Sequence, residues 1–202
     1  KLLSAHTFRM ENSKANIDRL EFLKKKVDLA GPRLASIGCG SCIELWDKSE
    51  KFIKSRNIFL LDMDEEALSR AREMIPAAGK SSITFMNANI LKFIAENKKK
   101  NLLGERDFIY CMGMIDYFTV KSAKKIIAAL WENVASGGKF FFSNAHPANP
   151  TRFWMEYGGE WFLNYKTEQE MHDIVSDLAD IKNITHTLDN YSVYHYVEVD
   201  KQ

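Results

Sequence analysis

The segment Arg33-Leu34-Ala35-Ser36-Ile37-Gly38-Cys39-Gly40-Ser41-Cys42 passes from an apolar run into a turn with two glycines. Residues 33–37 are typical of a buried strand, and residues 42–54 show helical spacing. Because Gly38 and Gly40 lack Cβ atoms, they permit a sharp bend and a close approach of a ligand to the backbone. The segment therefore predicts a strand, a ligand-binding turn and a helix in succession.

Comparable units follow along the chain. Further strands are predicted at 58–61, 82–86, 107–112 and 139–143. Further helices are predicted at 13–30, 64–74, 90–99, 121–134 and 167–178, and Gly137-Gly138 is expected to mark the end of the fourth of these. Two last strand-like runs, 181–188 and 192–199, are joined at Asp189-Asn190, which is a hairpin signal.

The alternation of strands and helices defines the fold class. It predicts an α/β fold of the Rossmann-like type, with a doubly wound, mostly parallel, seven-stranded sheet and a terminal antiparallel hairpin. With 202 residues, 46% of them apolar, the chain is long enough for one such domain and short for two. We therefore expect a single domain over residues 1–202, in which residues 1–31 form an N-terminal helical cap.

Charge and targeting signals restrict the partners. The net charge of +1, with both signs dispersed, gives no broad field that would attract nucleic acid or an anionic membrane. No run approaches the roughly 18 apolar residues of a membrane-spanning helix, and the start of the chain lacks a signal-peptide pattern. Three cysteines fit a reducing compartment. We expect a cytoplasmic protein with a small-molecule partner, no nucleic acid and no membrane span.

Cys39 and Cys42 form a C-x-x-C pair. A tetrahedral zinc site needs two further ligands, and the sequence offers neither a second such pair nor closely spaced histidines. No metal site is therefore predicted. Two small residues in a tight turn are the favoured interpretation, and a thiol redox role at a helix N-terminus is the alternative.

Asp62 follows the second predicted strand, about 20 residues beyond the glycine turn. At this place a carboxylate can accept hydrogen bonds from both hydroxyl groups of a ribose. The glycines and Asp62 together indicate a nucleoside-containing ligand. A dinucleotide fingerprint, G-x-G-x-x-G, would place a third glycine at position 43, where Ile43 stands. An NAD-dependent oxidoreductase is therefore the less favoured alternative.

Residues 36–42 resemble the first motif of the class I S-adenosylmethionine-dependent methyltransferases, which commonly reads acid, any residue, Gly-x-Gly-x-Gly. Ser36 stands in place of the acid and Cys42 in place of the third glycine. The methionine amino group thereby loses its common partner in this motif, and Glu44 is a hypothetical substitute. Both differences keep a non-catalytic nucleoside-binding module open as an alternative.

Later segments resemble further motifs of the same family, in order. Residues 61–64 resemble its ribose-binding motif, residues 85–90 its third motif and residues 108–117 its fourth, while 137–140 resemble its turn into the fifth strand. In the third motif an acid often meets the adenine amino group, and the amide oxygen of Asn89 can accept the same hydrogen bond. The resemblance covers roughly residues 34–143 and implies S-adenosylmethionine as cofactor and S-adenosylhomocysteine as product.

The resemblance also implies a set of cofactor-binding residues, which are Gly38, Cys39, Gly40, Glu44, Asp62, Met63, Asn89, Ile90, Cys111 and Gly113. A plainer interpretation exists for several of them. Asp62 and Asn89 could only cap the helices that follow, and residues 111–113 could be only a turn.

Residues 144–166 leave the predicted fifth strand and are rich in aromatic residues, which predicts a lid over the methyl acceptor. The lid resembles a small methyltransferase subgroup that forms methyl esters of 3-hydroxy fatty acids in bacterial quorum signalling. The resemblance rests on Asn149-Pro150-x-Arg152, Met155-Glu156, Trp161 and Leu163-x-Tyr165. It implies a carboxylate acceptor held by Arg152. In the alternative, Phe153, Trp154, Trp161 and Phe162 pack a helix onto the sheet and Arg152 pairs with Glu156.

The sulfonium methyl is already electrophilic, so the protein mainly has to align the acceptor and, where necessary, remove a proton. The catalytic candidates are His146, Tyr117 and Arg152. His146 follows the fifth strand, and histidine is a common general base, so it is the candidate base for a hydroxyl or amine acceptor. Tyr117 and Asp116 are candidates for contact with the acceptor or the sulfonium. The sequence thus predicts a methyltransferase acting on a small molecule, with a carboxylate oxygen as one acceptor.

Overall fold

The structure is a computed structural model that describes residues 10–76 and 82–202. Within these ranges the helices are α1 (Glu11–Leu29), α2 (Glu50–Lys54), α3 (Glu65–Met74), α4 (Ile90–Lys100), α5 (Val120–Trp131) and α6 (Glu168–Val175). The strands are β1 (Arg33–Ile37), β2 (Asn57–Asp62), β3 (Ile83–Asn87), β4 (Arg106–Cys111), β5 (Val134–Ala145), β6 (Ile181–Leu188) and β7 (Tyr194–Lys201). The first nine residues of the predicted cap lie outside the described part.

All seven strands form one sheet in the order β3-β2-β1-β4-β5-β7-β6. The first five strands pair in parallel, and β7 pairs antiparallel with both β5 and β6. The order reverses between β1 and β4, and the carboxyl ends of these strands therefore flank a crevice. The predicted sheet, including its terminal hairpin, is confirmed.

Helices cover both faces of the sheet. α1, α2 and α3 pack on one face, through residues such as Val27 and Ala71, and α4, α5 and α6 pack on the other, through residues such as Phe93 and Ile174. The central strands are therefore buried on both sides, and residues 58–61 are at most 1% exposed. This double burial explains why the strands are unbroken apolar runs in the sequence. Among the described helices, none has the length and apolar content to span a membrane.

The prediction of one helix over 42–54 is wrong. A 3-10 turn occupies Ile43–Leu45, and α2 begins only at Glu50. The Ser49 hydroxyl accepts a hydrogen bond from the Phe52 N–H and so starts a new helix at that point. The chain after the glycine turn therefore runs as a compact turn before it becomes helical.

The prediction that the helix over 121–134 ends at Gly137-Gly138 is also wrong. The helix α5 ends at Trp131, and β5 begins at Val134, so both glycines lie inside the strand. The register between β4 and β5 shifts there, since Arg106 pairs with Val134 and Phe108 with Lys139. A bulged strand accommodates glycines well, which is why they do not mark the end of a helix here.

The lid, residues 144–166, contains the last two residues of β5 and a π-helical turn at Trp154–Gly158. Phe153 and Phe162 are 72% and 65% exposed, so the alternative in which they pack a helix onto the sheet is wrong for these two. The lid is followed by Thr167, which caps α6 in a reciprocal capping box with Glu170. An aromatic surface therefore lies beside the carboxyl end of β5.

Candidate active site

Two adjoining cavities lie at the carboxyl ends of β1, β2 and β4. The Asp62 cavity has a volume of about 320 Å³ and is lined by residues that include Asp62, Met63, Asn89 and Ile90. The Glu44 cavity has a volume of about 410 Å³ and is lined by residues that include Glu44 and Arg19. Both are lined by Gly38, Gly40 and Met112. The two cavities therefore form one cleft that crosses the glycine turn.

The glycine turn and Asp62 are in direct contact. The Gly40 N–H donates a hydrogen bond of 2.7 Å to Asp62 Oδ2, and the Asp64 N–H donates one of 2.9 Å to Asp62 Oδ1. Gly38 and Gly40 have φ angles of +67° and +53°. A Cβ on Gly38 would lie 2.8 Å from Met114 Cβ, whereas one on Gly40 would meet nothing within 4 Å. The bend thus needs glycine at 38, and the backbone at Gly40 is open to a ligand.

Hydrogen bonds of Asn87 and Asn89 order the backbone around the Asp62 cavity. The Asn87 side chain donates to the Met63 carbonyl at 3.1 Å, and the Met63 side chain is 70% exposed at the cavity. Asn89 Oδ1 accepts from the Leu91 N–H at 3.0 Å, so Asn89 caps α4 as the plainer interpretation predicts. Asp62 does not cap a helix, because the cap of α3 is Asp64. The adenine contact of Asn89 stays a prediction.

The Glu44 cavity contains groups of opposite charge. Glu44 is buried, its carboxylate accepts a hydrogen bond of 2.8 Å from the Tyr110 hydroxyl, and burial raises its pKa. Arg19 reaches the same cavity from α1, with its guanidinium 4.3 Å above the centre of the Tyr194 ring. Arg19 is not predicted from the sequence, because an arginine on a helix is usually a solvated surface residue.

The fourth-motif segment contributes differently from the prediction. Cys111 is fully buried in the core and lines neither cavity, while Met112 lines both. Gly113, with φ of +88°, lines the Asp62 cavity. The lid meets this segment through Trp161, whose indole N–H donates to the Tyr117 hydroxyl at 3.1 Å. Trp161 lines the Glu44 cavity and Tyr117 the Asp62 cavity, so this hydrogen bond spans the cleft.

Two of the catalytic candidates lie outside both cavities. His146 Nδ1 accepts from the Ala148 N–H at 3.1 Å, and its ring packs on His195 with 4.5 Å between centroids. Arg152 donates to Glu156 at 2.8 Å and stacks 4.2 Å from the centre of the Tyr165 ring. The pair predicted in the alternative interpretation of Arg152 is therefore present. Catalytic roles for His146 and Arg152 stay predictions.

A buried polar group holds the lid against the end of β4. Lys166 Nζ donates to the Ile115 carbonyl at 3.2 Å and to Asn144 Oδ1 and the Asn164 carbonyl, both at 2.9 Å. Burial lowers the pKa of Lys166 to about 8. Asp116 is also buried, accepts a hydrogen bond from the Ala145 N–H, and has its pKa raised by burial. Its side chain supports the site from the core and lines neither cavity.

Other parts of the described structure offer weaker candidates for a functional site. A larger cavity, of about 570 Å³, lies at the opposite end of the strands, beside the Arg33–Asp107 ion pair, and contains none of the predicted site residues. Over residues 10–76 and 82–202, no group of three or more His, Cys, Asp or Glu side chains could hold a metal ion. The cleft at the glycine turn is therefore the candidate site.

The chain was compared with known proteins by sequence and by structure. No family model matches the chain. The chain is 28% identical, over 146 residues, to a ubiquinone biosynthesis O-methyltransferase from Aromatoleum aromaticum. The aligned part covers 72% of this chain and 57% of that protein, so the chain spans less than two thirds of this relative.

Solved structures show the same fold. A possible exported protein from Bordetella parapertussis has a TM-score of 0.75 at 16% identity, covering 96% of this chain and 70% of its own. The magnesium protoporphyrin IX methyltransferase of Synechocystis PCC 6803, solved with bound S-adenosylhomocysteine, has a TM-score of 0.62 at 15% identity, covering 95% and 84%. The predicted fold class is confirmed.

Proposed function

We infer that this chain is a class I S-adenosylmethionine-dependent methyltransferase, since it has the fold of such enzymes and its curated relatives are methyltransferases. The observation that carries the inference is the 2.7 Å hydrogen bond between the Gly40 N–H and Asp62 at the switch point of the sheet. It joins the ligand-binding turn to the carboxylate expected to bind a ribose.

The residues of the cleft fit the cofactor. Each oxygen of Asp62 accepts one backbone hydrogen bond and, with two lone pairs, can accept a second from a ribose hydroxyl. Met63, Asn89 and Ile90 line the same cavity and would contact the adenine side. In the Glu44 cavity, Glu44 would hold the methionine ammonium and Arg19 the methionine carboxylate, because each charge matches its partner. Gly38 and Gly40, between the cavities, would lie beneath the sulfonium.

The cofactor, when bound, supplies an electrophilic methyl group, so the chain needs chiefly to bind and orient an acceptor and to exclude water. Trp161 and Tyr117 are placed for this role, because their hydrogen bond spans the cleft between the two cavities. Met112 and Met114 add apolar surface at the same point. These side chains would close the cleft over the reacting atoms.

For the acceptor we propose an oxygen of a small molecule, and specifically a carboxylate. The curated relative is by its printed name an O-methyltransferase, which supports oxygen as the methylated atom. The lid resemblance to the 3-hydroxy fatty acid methyl ester subgroup supports the carboxylate. The exposed aromatic residues of the lid, Phe153 and Phe162, would contact an apolar chain, and Arg152 would have to exchange Glu156 for the acceptor acid.

Substitution of Asp62 tests the inference. In Asp62→Ala the affinity for S-adenosylhomocysteine, measured by calorimetry, should fall by about a hundredfold or more, because two hydrogen bonds to a charged acceptor are lost. The matched control is Asp64→Ala, which removes a neighbouring carboxylate that caps α3 and lines neither cavity. Equal affinity of folded Asp62→Ala and the unchanged protein would refute the ribose role. Tight binding of NAD instead would favour the oxidoreductase.

The acceptor class can be tested with His146→Ala. A carboxylate is ionised at neutral pH and needs no base, whereas a phenolic hydroxyl has to lose a proton. Release of S-adenosylhomocysteine should therefore fall about a hundredfold with a hydroxyl acceptor and far less with a medium-chain 3-hydroxy acid. The same variant compared on the two acceptors serves as its own control. Equal losses on both would contradict the assignment of His146 as a base, and no turnover of any acid would contradict the carboxylate.

A further inference from the structure

Two thiols meet in the bend that would bind the cofactor. Cys39 and Cys42 both line the Glu44 cavity, with two residues between them in the glycine turn. The Cys42 N–H also donates to the Cys39 carbonyl at 3.1 Å, which closes a four-residue turn. Such a turn brings its end Cα atoms within about 7 Å, close to the range that a disulfide needs. No movement of a helix or strand is therefore required to join the two sulfurs.

The two cysteines differ in access. Both line the Glu44 cavity, but Cys39 is partly exposed, while Cys42 is only 2% exposed. The contact with Cys39, burial, and the nearby carboxylates of Glu44 and Asp62 together raise the pKa of the Cys42 thiol. A reagent in the cleft would therefore reach Cys39 first, and Cys42 would react second.

We propose that Cys39 and Cys42 form a reversible disulfide that weakens binding of the cofactor. Its effect on the cofactor rests on the proposed function, whereas formation of the bond does not. The oxidant is a small-molecule disulfide such as oxidised glutathione. The motif that this turn resembles has glycine at the position of Cys42.

The exchange proceeds in two steps that balance. The Cys39 thiolate attacks one sulfur of oxidised glutathione, a mixed disulfide forms, and one glutathione thiolate leaves. Cys42 then loses its proton and attacks the Cys39 sulfur, and the second glutathione thiolate leaves. Two protein thiols are oxidised, one glutathione disulfide is reduced to two glutathione molecules, and the two thiol protons end on these. The second step is the slower one at neutral pH, because it needs the buried Cys42 thiolate.

The bond would change the geometry of the cleft. The Cys39 thiol donates to the Gly40 carbonyl at 3.4 Å, and a disulfide would remove this donor. Cys42 has a φ angle of +53°, which a side chain rarely adopts, so a second constraint on its Cβ shifts the bend. The Gly40 N–H that contacts Asp62 lies inside the same turn. The bend and the carboxylate would therefore no longer fit the same sugar.

The experiment uses the full chain, incubated with oxidised glutathione and then freed of it. Peptide mapping by mass spectrometry should find Cys39 joined to Cys42 with loss of two hydrogen atoms, and calorimetry should show affinity for S-adenosylhomocysteine about tenfold weaker. Dithiothreitol should restore both. Cys42→Gly, which suits the positive φ, should keep only a glutathione adduct, and Cys111→Ala should still form the disulfide.

The outcomes separate this proposal from the proposed function. If peptide mapping finds no Cys39–Cys42 bond in protein that binds S-adenosylhomocysteine, the disulfide is refuted and the function stands. If the bond forms and the affinity is unchanged, the regulatory effect is refuted. If the bond forms in protein that binds no S-adenosylhomocysteine even when reduced, the proposed function fails while the thiol pair is upheld.

Discussion

Glu44 is buried and lines the same cavity as Arg19. Its carboxylate accepts a hydrogen bond from Tyr110, and burial raises its pKa. A buried carboxylate of this kind gains most from a ligand that brings a positive charge. The methionine ammonium would supply that charge.

Binding of S-adenosylhomocysteine should therefore depend on pH through Glu44. The carboxylate is ionised only above its raised pKa, so affinity should fall on acidification at a pH above the ordinary glutamate range. Glu44→Gln should bind about tenfold or more weakly at pH 7 and show a flatter pH profile by calorimetry. The exposed Glu66→Gln should behave like the unchanged protein. A profile unaltered by Glu44→Gln would exclude the contact with the ammonium.

The sequence indicates candidate site residues where they lie next to a glycine turn or a strand end. Asp62 and Gly40 are of this kind, and the structure brings them into contact. Arg19 could not be predicted, because it reaches the cleft from a helix whose spacing says only which face is buried. For Arg152 the opposite holds. The lid motif indicates the residue, but the position of its guanidinium depends on Glu156 and on the lid backbone, which the motif does not predict.

Among the secondary-structure elements, the lid depends on one side chain. Lys166 connects the carbonyl of Ile115 after β4, the side chain of Asn144 on β5 and the carbonyl of Asn164 in the lid. The ammonium has three protons, and each has an acceptor. Three separate segments are therefore joined at one buried atom.

Lys166→Met should lower the free energy of unfolding by about 3 kcal/mol, measured by urea denaturation, because three buried acceptors lose their donor. Between pH 8 and the ordinary lysine value of 10.5, the unfolded chain binds more protons at this residue than the folded chain. Stability from this group therefore rises with pH in that window, and the variant should lack the rise.

The control for this prediction is Lys182→Met, at an exposed position on β6, which should change stability by no more than about 0.5 kcal/mol. If Lys166→Met unfolded with the same free energy as this control, the buried ammonium would have no structural role. A variant that is equally stable but binds its acceptor less well would instead assign Lys166 to the site.

Element boundaries show where local sequence is insufficient. Apolar runs predict the central strands β1, β2 and β4, since burial on both faces leaves a continuous signal. Local sequence does not predict the helix break at Ser49 or the extension of β5 back to Val134. A capping hydrogen bond and a bulge depend on the conformation of the neighbouring residues and strand. Helical spacing over 42–54 does not reveal the cap at Ser49, and the glycines at 137–138 do not reveal the bulge in β5.

The complete fold follows from the order of its elements more securely than from any one of them. Alternating units predict the layers and the terminal hairpin, and the structure confirms both. The strand order places the first, second and fourth strand ends at one crevice, which is why residues far apart in sequence, such as Arg19, Asp62 and Trp161, surround the same cleft. The lid has no comparable repeat, and its conformation could be read only from the structure.

Two tryptophans, Trp46 and Trp161, allow ligand binding to be followed by intrinsic fluorescence. The Trp46 indole donates to the Ser41 carbonyl of the glycine turn at 2.7 Å, and Trp161 bridges the cleft to Tyr117. Trp131, by contrast, donates to the Ala179 carbonyl on the far side of the molecule. Indole emission shifts with the polarity of its surroundings, so entry of a ligand should register as a spectral change without any attached label. The chain thus contains one intrinsic fluorophore hydrogen-bonded to the glycine turn and another in the lining of the candidate cleft.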